Sequence, residues 1–340
     1  MKTFAIDSSP GLSRRKVLGA VAGAALATGL PARAQSKTVL RISTPAVPDD
    51  WHAKMWTVFK AYLDKHAPGA FEVQIHLNAS LFKQGAEATA MARGNLELAT
   101  LSAFDMAKLV PEFSIFTAGY RVRDPAQQQK IFQGPIGQSL FKTVSATMDV
   151  TPLATAYLGT RQLNLRELRS VKTPADLKGL KLRMPGSKEW LFLGEALGAT
   201  ATPLAFGEVY MGLKTGTIDG QDNPLPSVRA AKFYEVTKQI VLTGHLVDAL
   251  FITISNKCLQ GLSPALRQHV MDAAQAAVQF NNENRINEEA QLMAFFRKEG
   301  LQINTPDVEA FRTAVHKAYD NSDYAKVWPK DLLERIEAVR

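Results

Sequence analysis

The sequence contains a single cysteine, Cys258, among its 340 residues. One thiol cannot form an internal disulfide, so the chain can have neither a disulfide framework nor a thiolate metal cluster. Long apolar runs are missing too: beyond residue 34, no stretch reaches the roughly eighteen residues that a membrane-spanning helix needs. The mature protein is therefore predicted not to be embedded in a membrane.

Catalytic and nucleotide-binding motifs are also absent. The sequence has no GxSxG nucleophile elbow, no HExxH pair, no P-loop and no GxGxxG fingerprint. Its six histidines are scattered, and His66 and His76 lack carboxylate or cysteine companions at ligand spacing. These absences favour a binding protein over an enzyme, and they predict no catalytic residues, no metal site and no cofactor.

The first 34 residues have the pattern of an export signal. Arg14 and Arg15 precede a weakly apolar run from Val17 to Leu30 that contains three glycines, and Ala32-Arg33-Ala34 supplies small residues for cleavage. The arginine pair and the modest hydrophobicity predict the twin-arginine route into the periplasm, with Gln35 as the first mature residue. The alternative, an N-terminal membrane anchor, is disfavoured because the run is too short for roughly 30 Å of hydrocarbon.

The charge of the chain does not indicate nucleic acid as a partner. The formal net charge is +8, of which residues 1–34 contribute +4 through five basic side chains and one acidic one, leaving +4 on the mature protein. This charge is spread along the sequence, and no basic stripe with interleaved aromatic residues is present. Nucleic-acid binding is therefore not expected.

Strand-like and helix-like segments alternate along the chain. Val39 to Ser43 and Pro152 to Leu158 are predicted strands, the second bounded by Gly159, and Trp51 to Lys65 has the apolar spacing of a helix. This alternation predicts an α/β fold of βαβ units with parallel pairing. A chain of 340 residues is long enough for two lobes of ordinary domain size.

Two longer helices are predicted, from Gln127 to Met148 and from Ser263 to Lys298. The second begins at Ser263-Pro264 and contains no further proline or glycine before Gly300. Such a helix would extend about 50 Å, enough to cross two lobes. Its polar middle, residues 281–285, is predicted to be solvated between the lobes.

Arg183 lies near the carboxyl end of a predicted strand, and Arg161 follows directly on another. Ligands of α/β sheets bind beyond the carboxyl ends of strands. A guanidinium fixed there would present two parallel donors to a carboxylate. On spacing alone, however, an ordinary surface arginine on an edge strand is the simpler interpretation of Arg183.

Three blocks of sequence carry a resemblance to a known family. They read DLKGLKLRMP from Asp176, GATATPLAFGEVY from Gly198 and LKTGTIDGQDNP from Leu213. Together they resemble the signature of the solute-binding proteins of tripartite ATP-independent periplasmic (TRAP) transporters, and the order of elements resembles that family along essentially the whole mature chain. The resemblance implies a two-lobed periplasmic binding protein of type II-like α/β fold, with mixed sheets flanked by helices and a long helix bridging both lobes.

The resemblance also implies domain boundaries and a ligand site. Lobe I would comprise residues 36–158 and about 249–288, and lobe II residues 159–248 and about 289–340, with the ligand cleft between them. Arg183 would clamp the ligand carboxylate, Asn223 would donate an amide to it, and Arg161 would lie beside them. The other positions that the family pattern places around the cleft or near the hinge are Phe206, Trp51, Ser102 and His245.

Two positions depart from the family pattern, and a third is unusually bulky. Asp222 stands where many relatives have glutamate, which is a small change. Ser102 stands where relatives that bind sialic acid have an acidic group, which argues against that ligand although the segment Gly159–Gln162 resembles that branch. Trp190 either lines the pocket, shortening it or stacking on an unsaturated ligand, or belongs to the core.

The chain is therefore predicted to capture a small organic acid by lobe closure and to deliver it to the membrane permease subunits of a TRAP transporter. C4-dicarboxylates, 2-oxo acids, sugar acids and aromatic acids would all satisfy Arg183 and Asn223. Two other functions remain open. The protein could be a ligand-sensing partner of a membrane receptor without a transport role, or a periplasmic enzyme on the same scaffold.

Overall fold

The computed structural model describes residues 37–340, together with Met1 and Thr3. The predicted signal peptide therefore lies outside the described residues. The strands are β1 (Thr38–Ser43), β2 (Phe71–His76), β3 (Leu98–Ser102), β4 (Val150–Leu165), β5 (Lys181–Met184), β6 (Thr200–Pro203), β7 (Gly220–Pro224), β8 (Gln239–Ser255) and β9 (Gln302–Asn304).

Helices flank these strands. They are α1 (Trp51–His66), α2 (Glu87–Ala92), α3 (Ala103–Ala107), α4 (Pro125–Gln133), α5 (Pro135–Met148), α6 (Lys188–Ala196), α7 (Val209–Thr215), α8 (Leu225–Ala230), α9 (Asn256–Gly261), α10 (Pro264–Glu289), α11 (Leu292–Lys298), α12 (Val308–Asp320), α13 (Asp323–Val327) and α14 (Leu332–Ala338). Short 3-10 helices cover Pro111–Thr117, Pro174–Leu177, Phe206–Glu208 and Phe233–Val236. No helix in residues 37–340 combines the length and the apolarity that crossing a membrane requires.

The strands form a mixed sheet in the order β2-β1-β3-β8-β4-β7-β5-β6, with β9 paired to β8. Pairing is parallel among β1, β2 and β3 and among β5, β6 and β7. The two long strands, β4 and β8, are antiparallel to each other and to their outer neighbours β7 and β3. The α/β class with mixed pairing is thus confirmed. The parallel pairing expected from the alternation of strands and helices holds within the two outer groups of strands, but not for β4 and β8, which join these groups.

Gly159 does not end its strand, contrary to the sequence-based expectation. The chain continues through it to Leu165, with a register shift between Tyr157 and Gly159. Gly159 has a φ of +129°, and a Cβ there would lie 2.4 Å from the Cβ of Pro224. Glycine is therefore required at this bulge inside the strand, and β4 stays paired with β8 beyond it.

Both predicted long helices are interrupted. The segment 127–148 divides into α4 and α5 at Gly134-Pro135, because Pro135 has no N–H to continue the first helix and instead opens the second. The second predicted helix divides into α10 and α11, with Ala290 and Gln291 between them. At 26 residues, α10 is still the longest described helix, and it packs on α1 and β4.

The polar middle of α10 is only partly solvated: Glu283 is exposed as predicted, but Asn281 and Arg285 are buried, contrary to the prediction. Asn281 and Arg285 are both 0% exposed. Asn281 Nδ2 donates to the carbonyl of Tyr157 at 3.0 Å, and Arg285 Nε donates to that of Leu158 at 2.7 Å. These carbonyls lie at the bulge of β4. Buried carbonyl groups need donors, and the polar side chains of the helix supply them.

The C-terminal segment contacts elements that the predicted boundaries assign to the other lobe. Trp328 Nε1 donates to Ser114 Oγ at 2.9 Å, and Gln127 Nε2 donates to the carbonyl of Ile336 at 2.9 Å. Arg121 also pairs with Asp320. The last helices therefore pack partly on residues 111–133, and the lobe boundaries given above stay a prediction.

Candidate functional site

A cavity lies beyond the carboxyl ends of several strands, as expected for ligand sites in α/β proteins. Its lining includes Thr44 after β1, Ser102 at the end of β3, Pro185 after β5 and Asn223 near the end of β7. Gln84 and Gly85, in the loop before α2, and Glu87, its first residue, also line the cavity. Strand ends and helix starts expose polar backbone and side-chain groups, so a cavity at this place can hold a polar ligand.

Arg183 contributes a buried guanidinium to this cavity. The residue is 1% exposed. Its Nε donates to the carbonyl of Leu204 at 2.8 Å, and its Nη2 lies 3.5 Å from Gln84 Oε1, so these contacts are with neutral groups and not with a carboxylate. Burial lowers the pKa of Arg183 to about 9, although the charge of Asp222 opposes the shift. The group is still a cation at neutral pH, but it lacks a close anionic partner among the described residues.

Arg161 also lines the cavity, but its charge is already compensated. Its Nε donates to Asp248 Oδ2 at 2.7 Å, and its Nη1 donates to Asp222 Oδ2 at 3.1 Å. Burial tends to raise the pKa of Asp222, but the charge of Arg161 holds it below the ordinary range. The guanidinium lies 4.2 Å from the ring centre of Trp190, close enough for a cation–π contact. The structure therefore distinguishes two buried arginines, one paired and one not.

Six of the eight predicted site residues lie together in the lining, and two do not. Those present are Arg183, Arg161, Asn223, Phe206, Ser102 and Trp190. His245 lies behind the lining, where its Nε2 is 3.2 Å from Asp222 Oδ2 and its Nδ1 is 2.8 Å from Thr243 Oγ1. Trp51 is turned away from the cavity, and its Nε1 donates to Glu288 Oε2 at 2.6 Å.

Asn223 and Trp190 have protein contacts as well as a place in the lining. Asn223 Nδ2 donates to Gln221 Oε1 at 2.6 Å, which uses one of its two N–H groups. Trp190 is 2% exposed and belongs to a large apolar cluster, although it also lines the cavity. Its indole Nε1 has no hydrogen-bond partner among the described residues.

Several polar lining residues escaped the sequence analysis. Asp50 and His52 flank the start of α1, where Asp50 Oδ1 accepts the N–H of His52 as the helix cap. Burial lowers the pKa of His52 to about 3, so its ring is neutral. Asp50 is also bound by Arg285, at 2.5 Å from Nη1 to Oδ1. An Asp before an apolar helical repeat is a recognisable cap, but its spacing carries no sign of a cavity.

Glu87 is another residue that sequence reasoning missed. It is 2% exposed, its Oε2 accepts the N–H of Gly85 at 2.7 Å, and its Oε1 has no partner among the described residues. Burial and the charge of Asp105 raise the pKa of Glu87 to about 7. A glutamate in the first turn of a short helix is common, so nothing in the sequence pattern singled out Glu87.

Replacing Glu87 by Gln is expected to remove a pH dependence of stability. The pKa of Glu87 is about 7 in the folded protein against an ordinary value of 4.5. The folded state thus binds this proton more tightly, and the stability it contributes is complete below pH 4.5 and is lost as the pH rises through 7. The difference between the two pKa values corresponds to about 3 kcal/mol in the free energy of unfolding. Urea unfolding should show that, between pH 4.5 and pH 8, the free energy of unfolding of the wild type falls by about 3 kcal/mol more than that of Glu87→Gln.

The control for this measurement is Glu72→Gln, because Glu72 is exposed on β2. That variant should follow the wild-type curve. Parallel stability curves for the wild type and Glu87→Gln would show that Glu87 titrates normally, contrary to the expectation.

Comparison with known proteins decides the family. Residues 43–326 match the family model described as bacterial extracellular solute-binding protein, family 7. The chain belongs to this family. It is 31% identical over 262 residues to the sialic acid-binding periplasmic protein SiaP of Vibrio cholerae, a match that covers 77% of this chain and 81% of that protein.

Solved structures of TRAP periplasmic solute-binding proteins share the architecture described above. A TRAP periplasmic solute-binding protein from Roseobacter denitrificans, with bound 3-deoxy-D-manno-oct-2-ulosonic acid, is 44% identical, with a TM-score of 0.86 over 89% of this chain and all of that one. Another from Polaromonas sp. JS666, bound to D-erythronate, is 28% identical, with a TM-score of 0.83 over 89% of this chain and 99% of the other. The predicted two-lobed fold and the predicted family are thereby confirmed.

The residues that line the cavity suit the binding of a small ligand. The proteins that this chain resembles are solute-binding proteins and not enzymes. Within residues 37–340, no group of three or more His, Cys, Asp or Glu side chains is placed to hold a metal ion. The protein is an extracytoplasmic solute-binding protein, and its lining offers a buried cation, hydrogen-bonding side chains and an indole face to a small polar ligand.

Proposed function

We propose that the chain is the periplasmic receptor of a TRAP transporter and that it captures a small organic acid through Arg183. One observation carries this proposal: a guanidinium that is 1% exposed in the cavity lining has no carboxylate among its described hydrogen-bond partners. A buried charge without a counter-charge is destabilising. A ligand carboxylate would relieve this cost and gain charge-assisted hydrogen bonds.

The contact between Arg183 and Gln84 supports the same assignment. Gln84 Oε1 is an oxygen acceptor at 3.5 Å from Arg183 Nη2, too long for a strong hydrogen bond, and it also accepts the N–H of Phe206 at 3.1 Å. A carboxylate oxygen would bind the same N–H group more tightly. The relatives named above bind 3-deoxy-D-manno-oct-2-ulosonic acid and D-erythronate, and both molecules carry one carboxylate.

Lobe closure is the proposed coupling between capture and delivery. A ligand shifts an open–closed equilibrium only by its preference for one state. Arg183 and Asn223 come from strands β5 and β7. Ser102 ends β3, in the other parallel group of strands, and Gln84 lies in the loop that follows β2 of that group. A ligand that contacts both groups would favour the closed form, which the membrane permease subunits would then recognise. Export by the twin-arginine signal in residues 1–34 would deliver the protein to the periplasm.

The test is a thermal-shift screen of organic acids on the mature chain, followed by calorimetry. An acid present at about 100 times its Kd should stabilise the folded protein by about 2.7 kcal/mol. The matched control for each acid is its uncharged amide or alcohol, which should give no shift. If no carboxylate stabilises the protein, the proposal fails, and turnover of a bound acid would indicate an enzyme instead.

A further inference from the structure

The cavity lining contains a second buried ionisable group for which neither the fold nor carboxylate capture accounts. Glu87 is 2% exposed and lines the cavity. Its Oε2 accepts one backbone N–H, from Gly85, while its Oε1 has no partner among the described residues. A carboxyl oxygen buried without a partner is unfavourable. The position of this atom therefore calls for a donor that the described residues do not supply.

The groups around Glu87 make the lining acidic there. Asp105 also lines the cavity, and its Oδ2 accepts the hydroxyl of Ser102 at 3.0 Å. Lys108 is the neighbouring cation, but its side chain is 45% exposed, and it donates to Asp105 Oδ1 and to the carbonyl of Gly85. Lys108 thus binds Asp105 and the carbonyl of Gly85, and it does not donate to Glu87 Oε1.

No hydrogen bond or ion pair joins Arg183 to Glu87 or Asp105 among the described residues. The charge of Asp105 raises the pKa of the Glu87 carboxyl, and the charge of Lys108 opposes this shift. The charge of Asp222 raises the pKa of Arg183, and that of Arg161 lowers it. A ligand that fills the cavity therefore meets a cation with one group and a pair of carboxyl groups with another.

From this arrangement, and resting on the proposed function, we infer that Glu87 is a specificity-determining residue that selects polyhydroxylated monocarboxylates. The ligand carboxylate binds Arg183, and a hydroxyl group elsewhere on the ligand donates to Glu87 Oε1. A hydroxyl supplies the missing donor at no cost in charge. A second carboxylate supplies no donor and places a like charge beside Glu87 and Asp105, which disfavours dicarboxylates.

Calorimetry on the mature chain tests this inference with two sets of probes. The hydroxylated monocarboxylates are D-gluconate, D-galacturonate and 3-deoxy-D-manno-oct-2-ulosonate, and the comparison acids are butyrate and succinate. We expect the wild type to bind at least one hydroxylated acid at least tenfold more tightly than either comparison acid. Glu87→Ala should weaken that binding tenfold or more, because a buried hydrogen bond to a carboxyl group is lost.

The matched variants separate specificity from a merely structural role. Glu87→Gln keeps an acceptor oxygen and removes the charge, so it should retain more of the affinity for the hydroxylated acid than Glu87→Ala and should bind succinate more tightly than the wild type. Neither change should alter butyrate binding. Glu72→Gln, on the exposed face of β2, should leave all affinities unchanged.

The outcomes distinguish this inference from the function on which it rests. If the wild type binds succinate as tightly as the best hydroxylated acid, or if both Glu87 variants keep the wild-type preference, the role of Glu87 is refuted while acid capture by Arg183 stands. If the wild type binds no acid in any screen, the proposed function itself fails.

Discussion

Arg183→Ala is expected to weaken binding of the cognate acid by about 3 kcal/mol or more, roughly a 150-fold increase in Kd. The variant removes the buried cation that the lining offers without a close carboxylate partner. A ligand carboxylate transferred into the cavity would then lose both its charge-assisted hydrogen bonds and its counter-ion. Isothermal titration with the acid found by screening measures the effect directly.

Two further variants make this result specific. Arg183→Lys keeps a positive charge but cannot present two parallel N–H groups, so it should recover only part of the affinity. Arg297→Ala changes an exposed arginine on α11 and should bind as the wild type does. Equal affinities for the wild type and Arg183→Ala would exclude Arg183 as the carboxylate partner.

Arg183→Ala should not destabilise the unliganded protein through the loss of the charge. Arg183 is buried with an unfavourable electrostatic environment, as its pKa of about 9 indicates. Removing it eliminates that cost, which offsets the lost contact with the Leu204 carbonyl. Sites that serve function at the expense of stability commonly behave in this way. Urea unfolding without ligand should therefore show a small change, in contrast to the loss of binding.

The sequence predicted the class of the fold and the position of the central arginine. Strand–helix alternation indicated an α/β protein, and Arg183 near the carboxyl end of a strand is where the structure has it. These features depend on local periodicity and on a general rule of sheet topology. The direction of strand pairing does not depend on local periodicity, because β4 and β8 become antiparallel neighbours only through contacts between residues far apart in the chain.

Side-chain direction at the start of α1 was not predictable from the sequence. The family pattern pointed to Trp51, but Asp50 caps the helix and faces the cavity together with His52. Trp51 itself contacts Glu288 and packs edge-on against Phe280. Successive helical residues point about 100° apart, so an assignment that is wrong by one residue selects a different surface.

The polar run in α10 shows a second limit of sequence reasoning. Charged and amide side chains in a long helix are usually solvated, so residues 281–285 were expected to lie in water. Instead, Asn281 and Arg285 are buried, and they donate to the carbonyls of Tyr157 and Leu158 at the bulge of β4. A bulge depends on the register between strands, which residue types along one segment do not reveal.

Arg285→Met is expected to destabilise the folded protein by about 3–5 kcal/mol. Arg285 is 0% exposed, and it binds Asp50 Oδ1, Ser227 Oγ and the carbonyl of Leu158. Its removal leaves the Asp50 carboxylate, which is 4% exposed, without its cation. Urea unfolding at neutral pH measures the loss, and Met keeps most of the volume, so that packing contributes little to the difference.

The pH dependence identifies the cause of this loss. In the wild type, burial tends to raise the pKa of Asp50, but the charge of Arg285 holds it below the ordinary value of 3.8. In Arg285→Met, burial acts unopposed by that cation and the pKa rises, so protonation relieves the unpaired charge and the deficit relative to the wild type should shrink as the pH falls.

The double variant Asp50→Asn, Arg285→Met provides the control, because it has no buried carboxylate at this position. It should be more stable than Arg285→Met at neutral pH, and its deficit should not change between pH 4 and pH 8. A deficit in Arg285→Met that is independent of pH would mean that the carbonyl of Leu158 and the packing, not Asp50, account for the destabilisation. Arg285 and Arg183 would then differ in function, but not in whether a protein carboxylate compensates their charge. The expected result instead separates them: Arg285 stabilises the fold through a protein carboxylate, whereas Arg183 has no close carboxylate partner among the described residues and is proposed to bind that of the ligand.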